Sequence, residues 1–309
     1  MKQNQTEIAV PFVKWTGGKR QLLDEIEKAL PVGFEEKEIT YIEPFVGGGA
    51  VMFWMLNKYP NIKKAVINDV NTDLINCYQI IQNNVEGLIK QLKTLEKKYH
   101  VIQNDKSKQL DYYKENRSLY NSRRSRKVKQ AALFIFLNKT CFNGIYRVNQ
   151  SNGFNVPMGD KATPRICHEE NLRLVHKLLQ KVEIQNGDFE ETIKYAEGET
   201  FFYFDPPYKP LSKTSSFNSY TKDEFNDVEQ TRLRDFCKKL NSIGYVWMQS
   251  NSDVKGKNPT DNFFDDLYVE FNISRVQARR SLNADGEKRG KLNELLITNY
   301  HYEQVMSVA

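Results

Sequence analysis

The amino-acid sequence predicts an α/β fold built on a doubly wound, mostly parallel sheet, with a helical insertion between the two halves of the sheet. Short apolar strands alternate with helix-patterned segments, which is typical of βαβ units and a parallel sheet. A central stretch breaks this rhythm, because it carries strongly charged helical segments and no convincing pair of strands. We therefore predict a sheet domain formed by residues 1–84 and 177–309, and an inserted helical domain at residues 85–176.

The elements of the first half follow in chain order. We predict a helix at Gln21 to Leu30, a strand at Thr40 to Phe45, a helix from Ala50 to about Tyr59, a strand at Lys64 to Asn68 and a helix at Thr72 to Gln82, capped by Thr72. Glycines 47–49 stand between the first strand and its helix. This order of strand, glycine turn, helix and strand is the first βαβ unit.

The insertion and the second half of the sheet come next. The insertion is predicted to hold helices at Val85 to Tyr99, Gln109 to Asn121 and Arg126 to Asn138, then a loop at Phe142 to Pro164. Later strands are predicted at Val182 to Gln185, Phe201 to Phe204, Tyr245 to Gln249, Val269 to Ile273 and Leu295 to Asn299, with a helix at Glu224 to Leu240.

Composition sets the broad class. The 309 residues are 39% hydrophobic and 12% aromatic, which supports a full globular core. The net charge of +6 mildly favours a polyanionic partner. A polar start and the lack of a long apolar run predict a cytoplasmic protein with no membrane partner. Four scattered cysteines are expected to be buried thiols, and the four histidines have no ligand spacing, so we predict no metal site.

The most informative motif follows an apolar strand. The run Phe201 to Phe204 ends in Asp205-Pro206-Pro207-Tyr208. Two prolines end the strand and leave a carboxylate, carbonyl groups and an aromatic ring at its carboxyl end, where ligands bind in open α/β sheets. The alternative is that Pro-Pro-Tyr is only a turn after a buried strand.

The four residues Asp205 to Tyr208 suit the transfer of a methyl group to a planar amine. The exocyclic amine of adenine is a poor nucleophile, so it must be held in line with an electrophilic methyl group. Asp205 and the Pro206 carbonyl can accept its two N–H bonds, which stabilises the developing charge and fixes the attack geometry. Tyr208 offers a face on which a flat base can stack. We predict these four residues as the catalytic motif.

The glycine triplet predicts a cofactor loop of Rossmann-like type. It permits close approach of a ligand to a helix N-terminus, but it lacks the last glycine of a dinucleotide fingerprint because Met52 stands there. Alone, it is equally compatible with a tight turn. Asp69 ends the next strand 20 residues after Gly49, the spacing of a carboxylate that accepts ribose hydroxyls. With no phosphate-binding lysine after the glycines, S-adenosylmethionine fits best.

Two further segments are candidates for the same site. Asp188 and Phe189 follow the strand at Val182 and can contact an adenine ring, although a plain turn explains them too. The basic and aromatic turn Lys14 to Arg20 precedes the first helix, and its alternative is an ordinary N-terminal loop.

These segments together resemble the Dam-type adenine-specific DNA methyltransferases, the D12 class and its alpha group. The resemblance rests on Phe12-Val13-Lys14-Trp15-Thr16-Gly17-Gly18-Lys19, Glu43-Pro44-Phe45-Val46-Gly47-Gly48-Gly49, Asn68-Asp69 and Asp205-Pro206-Pro207-Tyr208, in this order. It spans about Pro11 to Tyr300 and implies a methyltransferase fold with a helical DNA-recognition insertion. It also implies S-adenosylmethionine as cofactor, S-adenosylhomocysteine as product, and methylation of a flipped adenine at N6.

The strand-end motifs, the basic clusters and the family pattern together assign residues of this chain to two sites. The predicted cofactor site comprises Trp15, Gly17, Gly18, Lys19, Glu43, Pro44, Phe45, Gly47, Gly49, Asp69, Asp188, Phe189 and Asp205. The predicted DNA-binding residues are Arg123, Arg124, Phe142, Asn143, Gly144, Ile145, Arg147, Asn149, Pro157 and Arg280. Members with this recognition loop methylate GATC, which predicts GATC here.

Physical chemistry agrees with the loop assignment. Arg147 can make a bidentate contact to guanine O6 and N7, and Phe142 or Ile145 can act as a wedge at a base step. Position 142 is Phe where some relatives carry Tyr, so the hydrogen bond of that hydroxyl is missing. Basic clusters at 123–129 and 279–291 suit phosphate contacts, although a solvated helix face explains any single member.

Two rival functions stay open at this point. One is a methyltransferase acting on cytosine N4 or on a protein glutamine, although such relatives more often place Ser or Asn before the prolines. The other is a catalytically silent DNA-binding module, although none of the motifs is missing. We expect double-stranded DNA as the partner and a monomer in solution. A separately acting restriction endonuclease is a compatible partner, and the sequence does not separate a restriction-modification enzyme from a solitary one.

Overall fold

The computed structural model describes residues 8–15, 17, 19–208, 225–256, 258–278 and 292–302. It confirms the α/β fold with a Rossmann-like, mostly parallel sheet of seven strands. The strands are β1 (Ile39–Glu43), β2 (Ile62–Asn68), β3 (Val182–Gln185), β4 (Glu199–Phe204), β5 (Val246–Ser252), β6 (Asn272–Ala278) and β7 (Leu292–Thr298).

The strand order creates a single crossover point in the sheet. The order is β3-β2-β1-β4-β5-β7-β6, with parallel pairing from β3 to β5 and antiparallel pairing of β7 with β5 and β6. The chain moves outward from β1 to β3 and then returns to β4 on the other side of β1. A ligand crevice opens at such a switch point, outside the carboxyl ends of the strands.

The register brings the carboxyl ends of three strands together. Tyr41 of β1 pairs with Ala65 of β2 and with Phe201 of β4. The residues that follow these strands, among them Asp69 and Asp205, therefore emerge at the same edge of the sheet. This edge is where the sequence places its candidate catalytic and cofactor residues.

Helices cover the sheet. They are α1 (Leu23–Lys28), α2 (Ala50–Lys58), α3 (Thr72–Val101), α4 (Lys106–Asn121), α5 (Lys127–Thr140), α6 (Glu169–Leu179), α7 (Asp227–Ser242) and α8 (Phe263–Leu267). The four aromatic side chains of β4 alternate between the two faces, as the period of a strand requires. Phe201 and Tyr203 pack into the core that includes α3 and α5, whereas Phe202 and Phe204 pack against α7.

Some predicted bounds are wrong. The N-cap of α3 is Asn71, whose side chain accepts from the Leu74 N–H at 3.0 Å, and not Thr72. The strand predicted at 269–273 begins only at Asn272 and continues to Ala278. The strands and helices predicted elsewhere in the sheet domain are present, with ends that differ by a few residues.

The predicted insertion is helical for most of its length, with one addition. Two isolated antiparallel bridges, Cys141 with Met158 and Val148 with Phe154, close the loop after α5. Helix α3 runs through the predicted boundary after residue 84, where Asn84 has non-helical backbone angles (φ −152°, ψ 53°). The division into two domains stays a prediction.

All four cysteines are buried free thiols, as predicted. Among the residues that the structure describes, no group of His, Cys, Asp or Glu is arranged to hold a metal ion. No described helix combines the length and apolar character needed to cross a membrane.

Candidate active site

The catalytic motif begins where β4 ends, beside a buried lysine. The Lys19 Nζ lies 2.7 Å from Asp205 Oδ1, and the Lys19 side chain is only 3% exposed. Burial raises the pKa of Asp205, and the ammonium group of Lys19 opposes that shift. The predicted cofactor residue Lys19 and the predicted catalytic residue Asp205 therefore form one ion pair, across 186 positions of sequence.

Neighbouring strands fix the orientation of the Asp205 carboxylate. The Ser250 hydroxyl on β5 donates to Asp205 Oδ1 at 3.3 Å and lies 2.9 Å from the Tyr203 hydroxyl. Within the described chain, the partners of this carboxylate all lie on Oδ1. The structure thus leaves Oδ2 able to accept a hydrogen bond from a ligand.

The rest of the motif is held at two further points. Gln230 of α7 donates to the Pro207 carbonyl at 3.1 Å, and the Tyr208 hydroxyl donates to Glu294 Oε2 on β7 at 2.7 Å. Lys19 donates to the Tyr208 hydroxyl, and its Nζ lies 4.3 Å from the centre of the Tyr208 ring. No described group donates to the Pro206 carbonyl, so this carbonyl can accept a hydrogen bond from a ligand amine.

Burial and two nearby carboxylates raise the pKa of Tyr208, so its hydroxyl stays a neutral phenol. Burial also raises the pKa of Glu294, against the opposing effects of Lys19 and of the Tyr208 hydrogen bond. The chain of contacts runs from Asp205 through Lys19 and Tyr208 to Glu294. Each proton in it has a defined acceptor.

The glycine loop lies directly under Trp15. A Cβ on Gly47 would lie 2.8 Å from the Trp15 ring, and a Cβ on Gly48 would lie 2.7 Å from the Trp15 Cβ. Gly49 has φ +74°, and a Cβ there would lie 2.6 Å from the Tyr78 hydroxyl. The glycines therefore allow two aromatic side chains to approach the backbone at the start of α2.

Trp15 joins this loop to the insertion. Its ring stacks on Tyr146, with centroids 5.5 Å apart, and on Phe134 of α5 at 6.4 Å. Gly17, two residues after Trp15, has φ +80°, and its carbonyl accepts from Lys19 Nζ at 3.3 Å. Gly18 lies outside the described residues.

Asp69 follows β2 and closes the glycine loop. Its Oδ2 accepts from the Gly47 N–H at 3.0 Å, and its Oδ1 accepts from the Asn71 N–H at 2.8 Å. Burial raises the pKa of Asp69, and these two backbone hydrogen bonds oppose the shift. Each carboxylate oxygen keeps a second acceptor position for a ligand.

Glu43 is a fully enclosed carboxyl at the end of β1. It is 2% exposed, and the Tyr41 hydroxyl donates to its Oε2 at 2.5 Å. Burial raises the pKa of Glu43 well above its ordinary value, although the hydrogen bond from Tyr41 opposes this. Next to it, the Pro44 carbonyl accepts from Asn68 at 3.0 Å.

An aromatic wall stands beside these carboxyl groups. The rings of Phe45 and Phe189 lie 5.3 Å apart, and Phe225 meets Phe45 edge to face at 5.6 Å. Arg232 of α7 covers Phe189 at 4.4 Å and forms an ion pair with Asp188. The structure therefore places Phe45 and Phe189 together, while Asp188 faces Arg232.

The predicted recognition loop extends from the end of α5. Phe142 is 47% exposed, Asn143 has φ +54°, and Gly144 is buried against Lys14. Asn138 fixes this turn, since it bonds the backbone of Lys14 and the Gly144 carbonyl. The loop is thus joined to the segment that carries Trp15.

The remaining loop residues lie in a short hairpin. Arg147 Nε donates to Asn155 Oδ1 at 2.8 Å, and Asn149 Oδ1 accepts from the Gly153 N–H at 2.8 Å. Ile145 is half-buried, and the exposed Pro157 accepts from the Phe142 N–H at 2.9 Å. The predicted reading residues therefore form one continuous surface segment.

The predicted phosphate contacts differ in their surroundings. Arg123 forms an ion pair with Asp73 and donates to the Asn152 carbonyl at 3.2 Å, so it links α3, α4 and the hairpin. Arg124 is exposed. Arg280, with the rest of the basic cluster at 279–291, lies outside the described residues.

Sequence reasoning missed several residues of the site. They are Tyr41, Tyr78, Gln230, Arg232, Ser250 and Glu294. Each is a polar or aromatic residue inside an otherwise ordinary strand or helix, without a motif around it. The available signal was polarity in an apolar strand, as in Gln249-Ser250-Asn251 of β5.

Comparisons with known proteins agree on one family. Residues 15–282 match the model of the family described as D12 class N6 adenine-specific DNA methyltransferase. The chain is 48% identical over 294 residues to the type II methyltransferase M.MjaIII of Methanocaldococcus jannaschii, covering 94% of this chain and 99% of that protein.

Two other relatives match at nearly full length. The type II methyltransferase M1.LlaDCHI of Lactococcus lactis is 41% identical, over 94% of this chain and 95% of that protein. The DNA adenine methylase of Haemophilus influenzae is 34% identical, over 93% of this chain and 92% of that protein.

Proposed function

Because this chain belongs to the D12 class N6 adenine-specific DNA methyltransferases, we propose that it transfers a methyl group from S-adenosylmethionine to N6 of a flipped adenine in GATC. The observation that carries this proposal is the position of Asp205-Pro206-Pro207-Tyr208. This motif leaves β4 at the switch point of the sheet, next to β1 and its glycine loop.

The charge of the site supports a cationic cofactor. Four carboxyl groups lie around this edge of the sheet, Glu43, Asp69, Asp205 and Glu294, and their charges act on one another. Within the described chain, the one cationic side chain bonded to them is Lys19. A site short of positive charge favours a sulfonium over a phosphate.

The surrounding groups fit the other parts of that cofactor. When bound, S-adenosylmethionine supplies the electrophilic methyl group. Asp69 keeps acceptor positions for ribose hydroxyls, and the Phe45 and Phe189 rings offer apolar surface to its adenine. Trp15 and Lys19 hold the amino-terminal turn over the glycine loop.

The residues of the motif act on the amine of the target base. Asp205 Oδ2 and the Pro206 carbonyl accept its two N–H bonds, so the nitrogen lone pair points at the methyl group. Asp205 stays ionised because Lys19 and Ser250 remain on Oδ1. Tyr208 stacks on the base as a neutral phenol.

The recognition loop supplies sequence selectivity. The Nε of Arg147 donates to Asn155, and its two Nη groups have no partner among the described residues. These two groups can therefore form the bidentate contact to guanine. Phe142 is exposed enough to enter a base step. We propose double-stranded DNA in the cytoplasm as the substrate of a monomer. The two type II relatives support a separately acting restriction endonuclease as a partner.

Single-molecule sequencing of unmethylated duplex DNA treated with the purified enzyme and S-adenosylmethionine tests this function. We expect methyl groups on adenine, confined to GATC. The Asp205→Asn variant should lose transfer by more than about 100-fold, because it removes the negative charge that stabilises the developing cation. Asp205→Asn is preferred to Asp205→Ala, which would leave the buried Lys19 ammonium without its oxygen partner.

The control is Asp111→Asn, at an exposed position of α4, which should keep wild-type transfer. Methylated adenine at other sites would overturn the assignment of the recognition loop and leave the chemistry standing. Near-normal transfer by Asp205→Asn would overturn the role of the motif.

A further inference from the structure

Glu294 is a buried carboxyl that none of the sequence motifs explains. It lies on β7, is 8% exposed, and accepts a hydrogen bond from the Tyr208 hydroxyl at 2.7 Å. Burial raises its pKa, and only Lys19 and Tyr208 oppose that shift. A carboxyl in this position costs free energy that an apolar side chain would not, so its contacts require an account.

The Tyr208 ring is fixed at both of its ends. At its base, Gln230 holds the Pro207 carbonyl, and the two preceding prolines limit the backbone. At its tip, the hydroxyl accepts from Lys19 and donates to Glu294. Without Glu294, the hydroxyl would keep one partner, and the ring could turn about its side-chain bonds.

We infer that Glu294 is a positioning residue, which holds the Tyr208 ring in the orientation that receives the flipped base. This inference rests on the proposed function, because it concerns the platform on which adenine stacks. Glu294 acts through Tyr208 and does not itself touch the base.

Glu294 is also a second carboxyl group near the Lys19 ammonium. Lys19 binds Asp205 directly and reaches Glu294 through the Tyr208 hydroxyl. The ammonium of Lys19 therefore pairs directly with Asp205, and its charge also lowers the pKa of Glu294. This arrangement leaves Asp205 able to accept from the amine while its charge stays balanced.

A double-mutant cycle tests the inference. Glu294→Leu should lower kcat/KM for DNA by about 10- to 100-fold, the value of one hydrogen bond to a charged group. Glu294→Gln, whose amide oxygen can still accept the phenol proton, should restore most of this loss. In a Tyr208→Phe background, Glu294→Leu should cause little further loss, since the shared hydrogen bond is already gone.

Calorimetry with S-adenosylmethionine alone separates positioning from a structural role, and we expect its Kd to stay within about threefold of wild type in every variant. The matched control is Glu197→Gln, an exposed glutamate paired with Lys64, which should not alter kcat/KM. If Glu294→Leu does not fold, Tyr208→Phe removes the same hydrogen bond together with the one from Lys19, and should lose at least as much kcat/KM.

Wild-type kcat/KM in Glu294→Leu, or an equal loss in the Tyr208→Phe background, would overturn the inference. Wild-type transfer to adenine is the reference in the same assay. A failure of the proposed function would therefore appear in that reference, whereas a failure of the inference appears only in the ratios between variants.

Discussion

The Trp15 side chain explains why glycines occupy the loop beneath it. Gly47 and Gly48 have no room for a Cβ because Trp15 lies on them. Trp15 in turn stacks on Tyr146 of the predicted recognition loop. The loop at the start of α2, the amino-terminal turn and the predicted recognition loop thus share one aromatic contact.

Gly48→Ala should displace Trp15 and destabilise the protein by about 1–3 kcal/mol, as overpacking does elsewhere. Gly48 has an ordinary φ, so the effect reports the clash with Trp15 and not backbone strain. Urea unfolding measures the stability, and calorimetry with S-adenosylmethionine should show weaker binding.

Gly256→Ala is the matched control, because a Cβ at Gly256 meets nothing within 4 Å and its φ is also ordinary. That variant should unfold at the wild-type urea concentration. Equal behaviour of the two variants would show that Trp15 does not lie on the loop in solution.

The acids at the ends of the parallel strands were predictable from the sequence, but their partners and Glu294 were not. Asp69 and Asp205 stand at strand ends, where a local pattern identifies them. Lys19 meets Asp205 only because the amino-terminal turn and β4 converge in three dimensions, and Glu294 lies on an antiparallel strand near the other end of the chain. Such pairings have no local signature.

At the level of secondary structure, packing explains why the predicted bounds of strand β6 were wrong. Apolar residues before it predicted a strand, but Tyr268 and Phe271 pack as a turn against the sheet. Tyr268 donates to Gln249 at 2.8 Å, and Phe271 meets Trp247 edge to face at 4.8 Å. Periodicity reports that a segment is buried, and tertiary packing decides its conformation.

The cap of α3 is a similar case. Asn71 and Thr72 are both common N-cap residues, so sequence alone does not choose between them. Thr72 instead donates to Asn186 Oδ1 at 3.0 Å, a contact that joins α3 to the turn after β3. The choice depended on a residue more than 100 positions away.

The two neighbouring arginines after α4 should behave differently. Arg123→Ala removes the ion pair with Asp73 and should destabilise the protein by about 1–2 kcal/mol. Arg124→Ala should leave stability unchanged and reduce the salt dependence of DNA binding by about one phosphate contact. Thermal unfolding and DNA titrations at several salt concentrations measure the two effects.

Arg123 and Arg124 thus serve as controls for each other. If Arg123→Ala were as stable as wild type and reduced the salt dependence, Arg123 would be a phosphate contact rather than a structural link. If Arg124→Ala left the salt dependence unchanged, Arg124 would not meet a phosphate.

At the scale of the whole molecule, the sequence predicted the mostly parallel sheet, and the structure brings the predicted site residues together at one edge of it. This prediction was possible because βαβ alternation and strand-end motifs are local patterns in the sequence, and a parallel sheet brings the strand ends to one edge. The sequence did not predict the balance of charges around these residues. The sequence has a net charge of +6, yet the buried groups at this edge are mainly acidic.

This acidic interior makes stability depend on pH. Burial raises the pKa of Glu43 well above its ordinary value of 4.5, so the folded protein binds this proton more tightly than the unfolded chain does. The stability that the protonated group contributes is fully present below that ordinary value. It is lost as the pH rises towards the raised pKa, by up to about 1.4 kcal/mol per pH unit.

Glu43→Gln should remove this dependence. The amide can still contact Tyr41 and the Met52 backbone, and it carries no charge at any pH. Thermal unfolding from about pH 5 to about pH 8 should find the variant close to wild type at the acid end and increasingly more stable than wild type as the pH rises. Glu38→Gln, at an exposed position, should instead give a curve that follows wild type throughout. Parallel curves for Glu43→Gln and wild type would mean that Glu43 has the same pKa in the folded and the unfolded chain. The carboxyl groups at this edge of the sheet would then be stabilised by solvent rather than by bound protons.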